Sequence, residues 1–248
     1  YGFSACLSTQ AGCRMGCRFC VSAQGGLLRD LTAGEMISQL QIVGEDLAQI
    51  DARPARIVLM GSGEPLENMD AVVRFLHLVH DPKGWNIGYR HITLSTCGLT
   101  DAIGRLADEG LPVTLAISLH AADDALRKWL MPGAARYTVE EIVAAAQSYQ
   151  EKTGRRVSYE YAMIRDVNDR TDQAKALGEL LAGRGSHVNL IPLNPGNTQE
   201  LTPSRLETIQ RFHETLTRMG INATVRRSLG EDIQGACGQL RHQYLQEQ

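Results

Sequence analysis

The chain has no stretch approaching the ~18 continuous apolar residues of a membrane span, and no secretory leader is recognisable in it. It also lacks a strong charge of either sign. Its 25 Lys and Arg stand against 28 Asp and Glu, a net charge of −3, so no overall basic field advertises nucleic acid. Six cysteines are too few, and too unevenly spaced, for the disulfide framework of a secreted domain. No low-complexity segment, internal linker or fixed-period repeat divides the sequence. These absences predict a protein of the reducing cytoplasm. What is present is an ordinary globular composition, 43% hydrophobic and 21% charged over 248 residues, enough for a substantial core. Arginines come close together at Arg14/Arg18, Arg155/Arg156 and Arg226/Arg227. A local phosphate-binding surface therefore stays open, although solvated faces are the usual fate of such pairs.

Three of the cysteines, Cys13, Cys17 and Cys20, stand at the spacing C-x3-C-x2-C. Iron–sulfur clusters are usually held by four cysteines. Here Cys6 is seven residues upstream and Cys97 far downstream, so a four-iron cluster on these three would keep one iron open. The amino and carboxylate groups of S-adenosylmethionine (SAM) can chelate such an iron, and an injected electron then cleaves the sulfonium to a carbon radical. The competing reading is a zinc knuckle, which wants a fourth Cys or His at short spacing. His77 and His80 are poor candidates for that place. The spacing is the signature of the radical-SAM superfamily, which the chain resembles here.

Strand and helix signals alternate along the rest. The pattern predicts strands at residues 5–10, 56–60, 91–95, 113–118, 156–163, 187–193 and 221–227. Thr32 with Glu35, and Thr138 with Glu141, form capping boxes for helices to about Gln49 and Thr153. Asp70 is read as the cap of a helix to His80, Thr100 opens one to Glu109, and Thr171 to Ala182 is another. Thr202-Pro203 is read as the start of a long helix to Met219. Repeated βα units predict an α/β fold with a parallel sheet. Gly61-Ser-Gly-Glu-Pro65, Ser95-Thr-Cys-Gly98, Ser118-Leu-His120 and Leu193-Asn-Pro195 all fall at carboxyl strand ends, where barrels and open sheets place their sites. In a partial barrel all four would converge with the cysteine loop on one mouth.

Each polar strand end has a second reading. Glu64, with the backbone of its glycine turn, suits the ammonium of SAM; alone it would be a solvated turn carboxylate. Ser95 and Ser118 suit ribose or carboxylate oxygens, or are simply exposed strand ends. Asn194 either bonds a ribose or makes the turn that Asn-Pro favours. His120 is a ligand contact or a satisfied buried histidine. Cys237 lies between small residues in Gly235-Ala-Cys-Gly-Gln-Leu240, either reactive or packed. Cys97 reads as a packed thiol.

Taken together, Cys6-Leu-Ser-Thr-Gln-Ala-Gly-Cys13, Gly63-Glu-Pro65, Leu94-Ser-Thr96, Ile117-Ser-Leu-His120, Pro192-Leu-Asn-Pro195 and Ala236-Cys-Gly-Gln-Leu240 resemble the RlmN/Cfr family of radical-SAM RNA methyltransferases. Gly-Glu-Pro, where the Cfr branch has Gly-Glu-Ala, tilts the resemblance toward RlmN. The resemblance implies a partial (β/α)6 TIM-type barrel over residues 1–227, followed by a segment, 228–248, that carries a methyl-accepting Cys237. It implies a [4Fe–4S] cluster on Cys13, Cys17 and Cys20, and SAM contacts at Gly63, Glu64, Ser95, Ser118, Leu119, His120 and Asn194. Cys6 would resolve Cys237 and leave a disulfide between them. The substrate would be carbon 2 of an adenosine in 23S rRNA and in tRNA, the electron donor a flavodoxin or ferredoxin, and the enzyme a cytoplasmic monomer. Two alternatives from the sequence are a Cfr-type carbon-8 methyltransferase and a radical-SAM activase. The chain begins at Tyr1 without an initiator Met and without the family's N-terminal accessory domain, which predicts a fragment of a longer protein.

Overall fold

The computed structural model describes residues 2–194 and 201–226, and turns each alternation of strand and helix signals into a βα unit. Seven strands form one sheet: β1 (Phe3–Cys6), β4 (Pro54–Leu59), β5 (Ile92–Thr96), β6 (Thr114–Ser118), β7 (Ser158–Met163), β8 (His187–Pro192) and β9 (Asn222–Val225). Every neighbouring pair is parallel, and the spatial order is the chain order. A doubly wound sheet must reverse its strand order at a switch point; this one never does. Right-handed crossovers then put all the helices on one face, and the sheet curls into a half-barrel with β1 and β9 at its edges.

The strand alternation sorts the two faces. Outward residues such as Ile57, Leu94, Leu115, Ile117, Tyr159, Tyr161, Val188 and Leu190 pack in one core with the inner faces of the helices. Full burial of each such side chain stabilises the fold by about 1.5–3 kcal/mol. The residues between them point inward and include a polar row: Ser118 is in register with Glu160, Glu160 with Asn189, and Asn189 with Thr224.

The two capping boxes form as the sequence implies, opening α1 (Ala33–Ala48) and α5 (Val139–Thr153). Gly154 ends α5 in the left-handed conformation. Helices α2 (Met69–His80), α3 (Thr100–Asp108), α6 (Thr171–Leu181) and α7 (Leu206–Arg218) complete the outer layer, and the short α4 (Asp124–Leu130) follows β6.

Four readings need correction. Asp70 is not the cap of α2; Asn68 is, and its amide is spent holding the Thr9 and Leu31 carbonyls. Helix α7 begins at Leu206 rather than Thr202, because Pro203 is held in an antiparallel bridge to Ile164. Residues 5–10 are not one strand: β1 stops at Cys6, and Gln10–Gly12 (β2) pairs antiparallel with Leu27–Asp30 (β3) as a small separate ribbon. Helix α4 has no counterpart in the sequence reading. Among the described residues, no helix is long and apolar enough to cross a membrane.

Candidate active site

The glycine turn after β4 is stitched to the segment after β1. The Ser62 carbonyl accepts from the Thr9 and Gln10 amides, and the Gly61 amide donates to the Leu7 carbonyl at 3.0 Å. Gly63 has φ 109°, and a Cβ there would lie 2.6 Å from that of Gln10, so only glycine fits. The Gln10 side chain accepts from the Glu64 amide at 2.8 Å, and the Ser62 hydroxyl donates to the Gly12 carbonyl. Turn and cysteine loop are thus one hydrogen-bonded unit.

Glu64 is not a solvated turn carboxylate. It is 3% exposed, and its oxygens accept from the Cys97 amide at 2.7 Å and the Leu66 amide at 3.1 Å. Burial pushes its carboxyl above the usual range, and those amides oppose the shift. The turn after β4 is therefore bound to the turn after β5.

A cavity of about 240 Å³ opens at these strand ends. Cys13, Cys17 and Cys20 line it together with Gly63, Glu64, Ser95, Ser118 and His120. The Ser95 and Ser118 hydroxyls stand 3.3 Å apart. Burial, with the neighbouring thiols, pushes Cys13 up to about 11 and Cys17 further still. Neutral thiols suit this dry crowd of sulfurs; thiolates would need bound positive charge. Among the described residues, no three His, Cys, Asp or Glu side chains stand ready to hold a single metal ion. In a cluster each thiolate binds its own iron, so three cysteines lining one cavity fit that group.

His120 is a satisfied buried histidine that also lines the cavity. It lies at the cavity with φ 59°, its Nδ1 accepts from the Ala162 amide at 2.9 Å, and its ring meets Phe19 edge-on at 4.6 Å. Burial holds it neutral, with its pKa lowered to about 3. Cys97 is packed, as expected, and its thiol donates to the Met15 sulfur at 3.4 Å.

The structure adds Glu160, which sequence reasoning missed. It lines the cavity at 5% exposure, and one oxygen accepts from Asn189 Nδ2 at 2.9 Å and Ser158 Oγ at 3.2 Å. In Ser-Tyr-Glu-Tyr-Ala it carries only the signal of strand alternation. Met15, Met60, Thr96 and Arg226 also line the cavity.

Three expected residues are not brought to the cavity. Leu119 packs in the outer core and its amide donates to the Glu160 carbonyl. Asn194 is half-buried just beyond β8. Cys6 is exposed at the end of β1. Cys237 and the segment 228–248 lie outside the described residues, and no disulfide joins the described cysteines.

A parallel half-barrel with a three-cysteine loop over its mouth defines a radical SAM enzyme, and the Radical SAM superfamily pattern matches residues 7–177. Over 248 residues the chain is 51% identical to a probable dual-specificity RNA methyltransferase RlmN of Alkaliphilus metalliredigens, covering all of this chain and 70% of that protein. A protein of the same name from Symbiobacterium thermophilum is 53% identical over 243 residues, 98% of this chain and 65% of its own. Among solved structures, a radical SAM methyltransferase from Sphaerobacter thermophilus superposes with TM-score 0.92 at 45% identity, over 95% of this chain and 69% of that one. The chain belongs to the RlmN family of dual-specificity RNA methyltransferases, enzymes of a superfamily that works with a [4Fe–4S] cluster and SAM.

Proposed function

We propose that this chain methylates carbon 2 of an adenosine in 23S rRNA and in tRNA, through a methyl group mounted on Cys237. One observation carries the reading: Cys13, Cys17 and Cys20 share a single cavity with Glu64, Ser95, Ser118 and His120. The three thiols hold the cluster. Glu64 and the Gly63 backbone receive the ammonium of SAM, and Ser95, Ser118 and His120 position its remainder. When bound, cluster and SAM supply one-electron chemistry, a carbon radical able to take hydrogen from a methyl group.

The remaining steps belong to this chain's own residues. Carbon 2 of adenine is electron-poor and does not attack a sulfonium methyl, whereas a thiolate does. Cys237 therefore takes the methyl by polar displacement, releasing S-adenosylhomocysteine. Once the methyl carbon is joined to the base, Cys6 attacks the Cys237 sulfur. The carbon–sulfur bond breaks with its electron pair on carbon, a proton completes the methyl group, methylated RNA leaves, and a disulfide remains that an external thiol must reduce. The exposure of Cys6 at the end of β1 supports this role.

Two variants test the reading in the whole chain. Cys6→Ala is expected to accumulate protein covalently joined to RNA, visible as a crosslink on denaturing gels. Cys237→Ala is expected to give neither crosslink nor methylated RNA. A crosslink in Cys237→Ala would overturn the two roles. Nucleoside mass analysis of the product reads carbon 2 against carbon 8.

A further inference from the structure

Nothing in that reading uses the charge of Arg127. Among the described residues it is the largest side chain in full burial, 1% exposed. Its Nη1 donates to the Ala134 carbonyl at 2.8 Å and its Nη2 to the Cys97 carbonyl, while its Nε–H has no partner. It takes part in none of the ion pairs among the described residues. Asp124 and Glu64 act on the guanidinium only from beyond ion-pair distance, and a buried cation without a close anionic partner is costly.

The surroundings show where compensation comes from. Arg127 sits on α4, which is clamped to the cysteine loop: the Arg18 amide donates to the Leu130 carbonyl, and the Gly133 amide to that of Met15. Its second carbonyl partner, Cys97, bonds Glu64 through the amide and Met15 through the thiol. Cys97, whose carbonyl holds the guanidinium, lines the same cavity as Cys13, Cys17 and Cys20. Bound to a cluster, Cys13, Cys17 and Cys20 are thiolates, and three of them leave the cluster anionic. One-electron reduction makes it more so. In a dry pocket, a fixed cation acts strongly on that added charge.

We propose that Arg127 is the buried counter-charge of the cluster site and holds its reduction potential at a less negative value. The inference rests on the cluster assignment to Cys13, Cys17 and Cys20. Arg127 is a positioning residue outside the cavity lining; it eases entry of the electron by stabilising the reduced state.

The test is a potentiometric titration of the anaerobically reconstituted chain, followed by electron paramagnetic resonance, with iron and sulfide content measured first. Arg127→Met keeps length and apolar fill but removes the charge. At the unmutated midpoint, its reduced-to-oxidised ratio is expected to fall at least tenfold, a shift of about 59 mV to more negative potential for one electron. Arg127→Lys keeps the charge and is expected to stay within a few-fold of the unmutated ratio. If the methionine variant fails to take up iron, Arg127→Gln, which still reaches the Ala134 carbonyl, is read in its place. Normal iron with an unmoved potential overturns the inference alone, as does an equal shift in the lysine variant. An unmutated chain that binds no cluster overturns the cluster assignment, and the inference with it.

Discussion

Glu64 shows how far a single residue can be read. Its turn was visible in the sequence, and so was its suitability for an ammonium group, but its burial was not. Spacing reveals a turn without revealing what closes over it, here the Cys97 and Leu66 amides. Glu64→Gln is expected to weaken SAM binding while leaving iron content unchanged, because the lost partner is the ligand's cation. A charge-assisted bond of this kind contributes roughly 1.5–3 kcal/mol, or about ten- to a hundredfold in affinity by equilibrium dialysis. His120 supports a prediction of another kind. Its folded pKa of about 3 lies below the ordinary 6.5, so the unfolded chain binds the extra proton as pH falls. Its contribution is complete above 6.5 and is lost progressively from there toward 3. His120→Asn, which tolerates the same left-handed backbone, is expected to lower stability at neutral pH. It is also expected to flatten the acid dependence by up to about 1.4 kcal/mol per pH unit. Denaturant melts at pH 6.5 and 5 compare the two proteins; equal slopes would remove His120 from the acid response.

At the scale of elements, legibility followed the strength of local signals. Thr32 with Glu35 and Thr138 with Glu141 placed two helix starts correctly, since both halves of the box lie in neighbouring sequence. Asp70 misled because Asn68, two residues earlier, caps without a side-chain bond and turns its amide to distant carbonyls. Helix α4 is only seven residues long and is held by the cysteine loop rather than by its own periodicity. That docking leaves no room: a Cβ on Gly133 would lie 2.7 Å from the Met15 Cα and from the Arg14 carbonyl. Gly133→Ala is therefore expected to cost about 1–3 kcal/mol by overpacking and to reduce iron uptake, since the strain falls on the loop that carries the thiols. Iron analysis beside a thermal melt checks both; a variant as stable and as fully loaded as the original would contradict the close approach.

For the molecule as a whole, the parallel sheet was legible because seven strand signals and their intervening helices follow one another without a break, whereas its curling into a half-barrel came from the family resemblance, since the same alternation fits an open sheet. The polar inner row from Ser118 to Thr224 was not, because it emerges only when register aligns residues far apart in sequence. A ligand at the mouth would touch the ends of several strands at once and bind the folded state alone. At a hundred times its dissociation constant, SAM is expected to stabilise the reconstituted chain by about 2.7 kcal/mol, a rise of roughly 5–10 °C in Tm. An unchanged melt at that concentration would move the SAM site out of this cavity. The two edge strands have a consequence for access. Among the described residues β1 and β9 have no strand between them, so the sheet they bound is a trough and not a closed tube. A tube admits only what enters by its end. A trough accepts a long polymer laid across it, with one nucleotide turned down to the floor and both flanks free to run on over the rims.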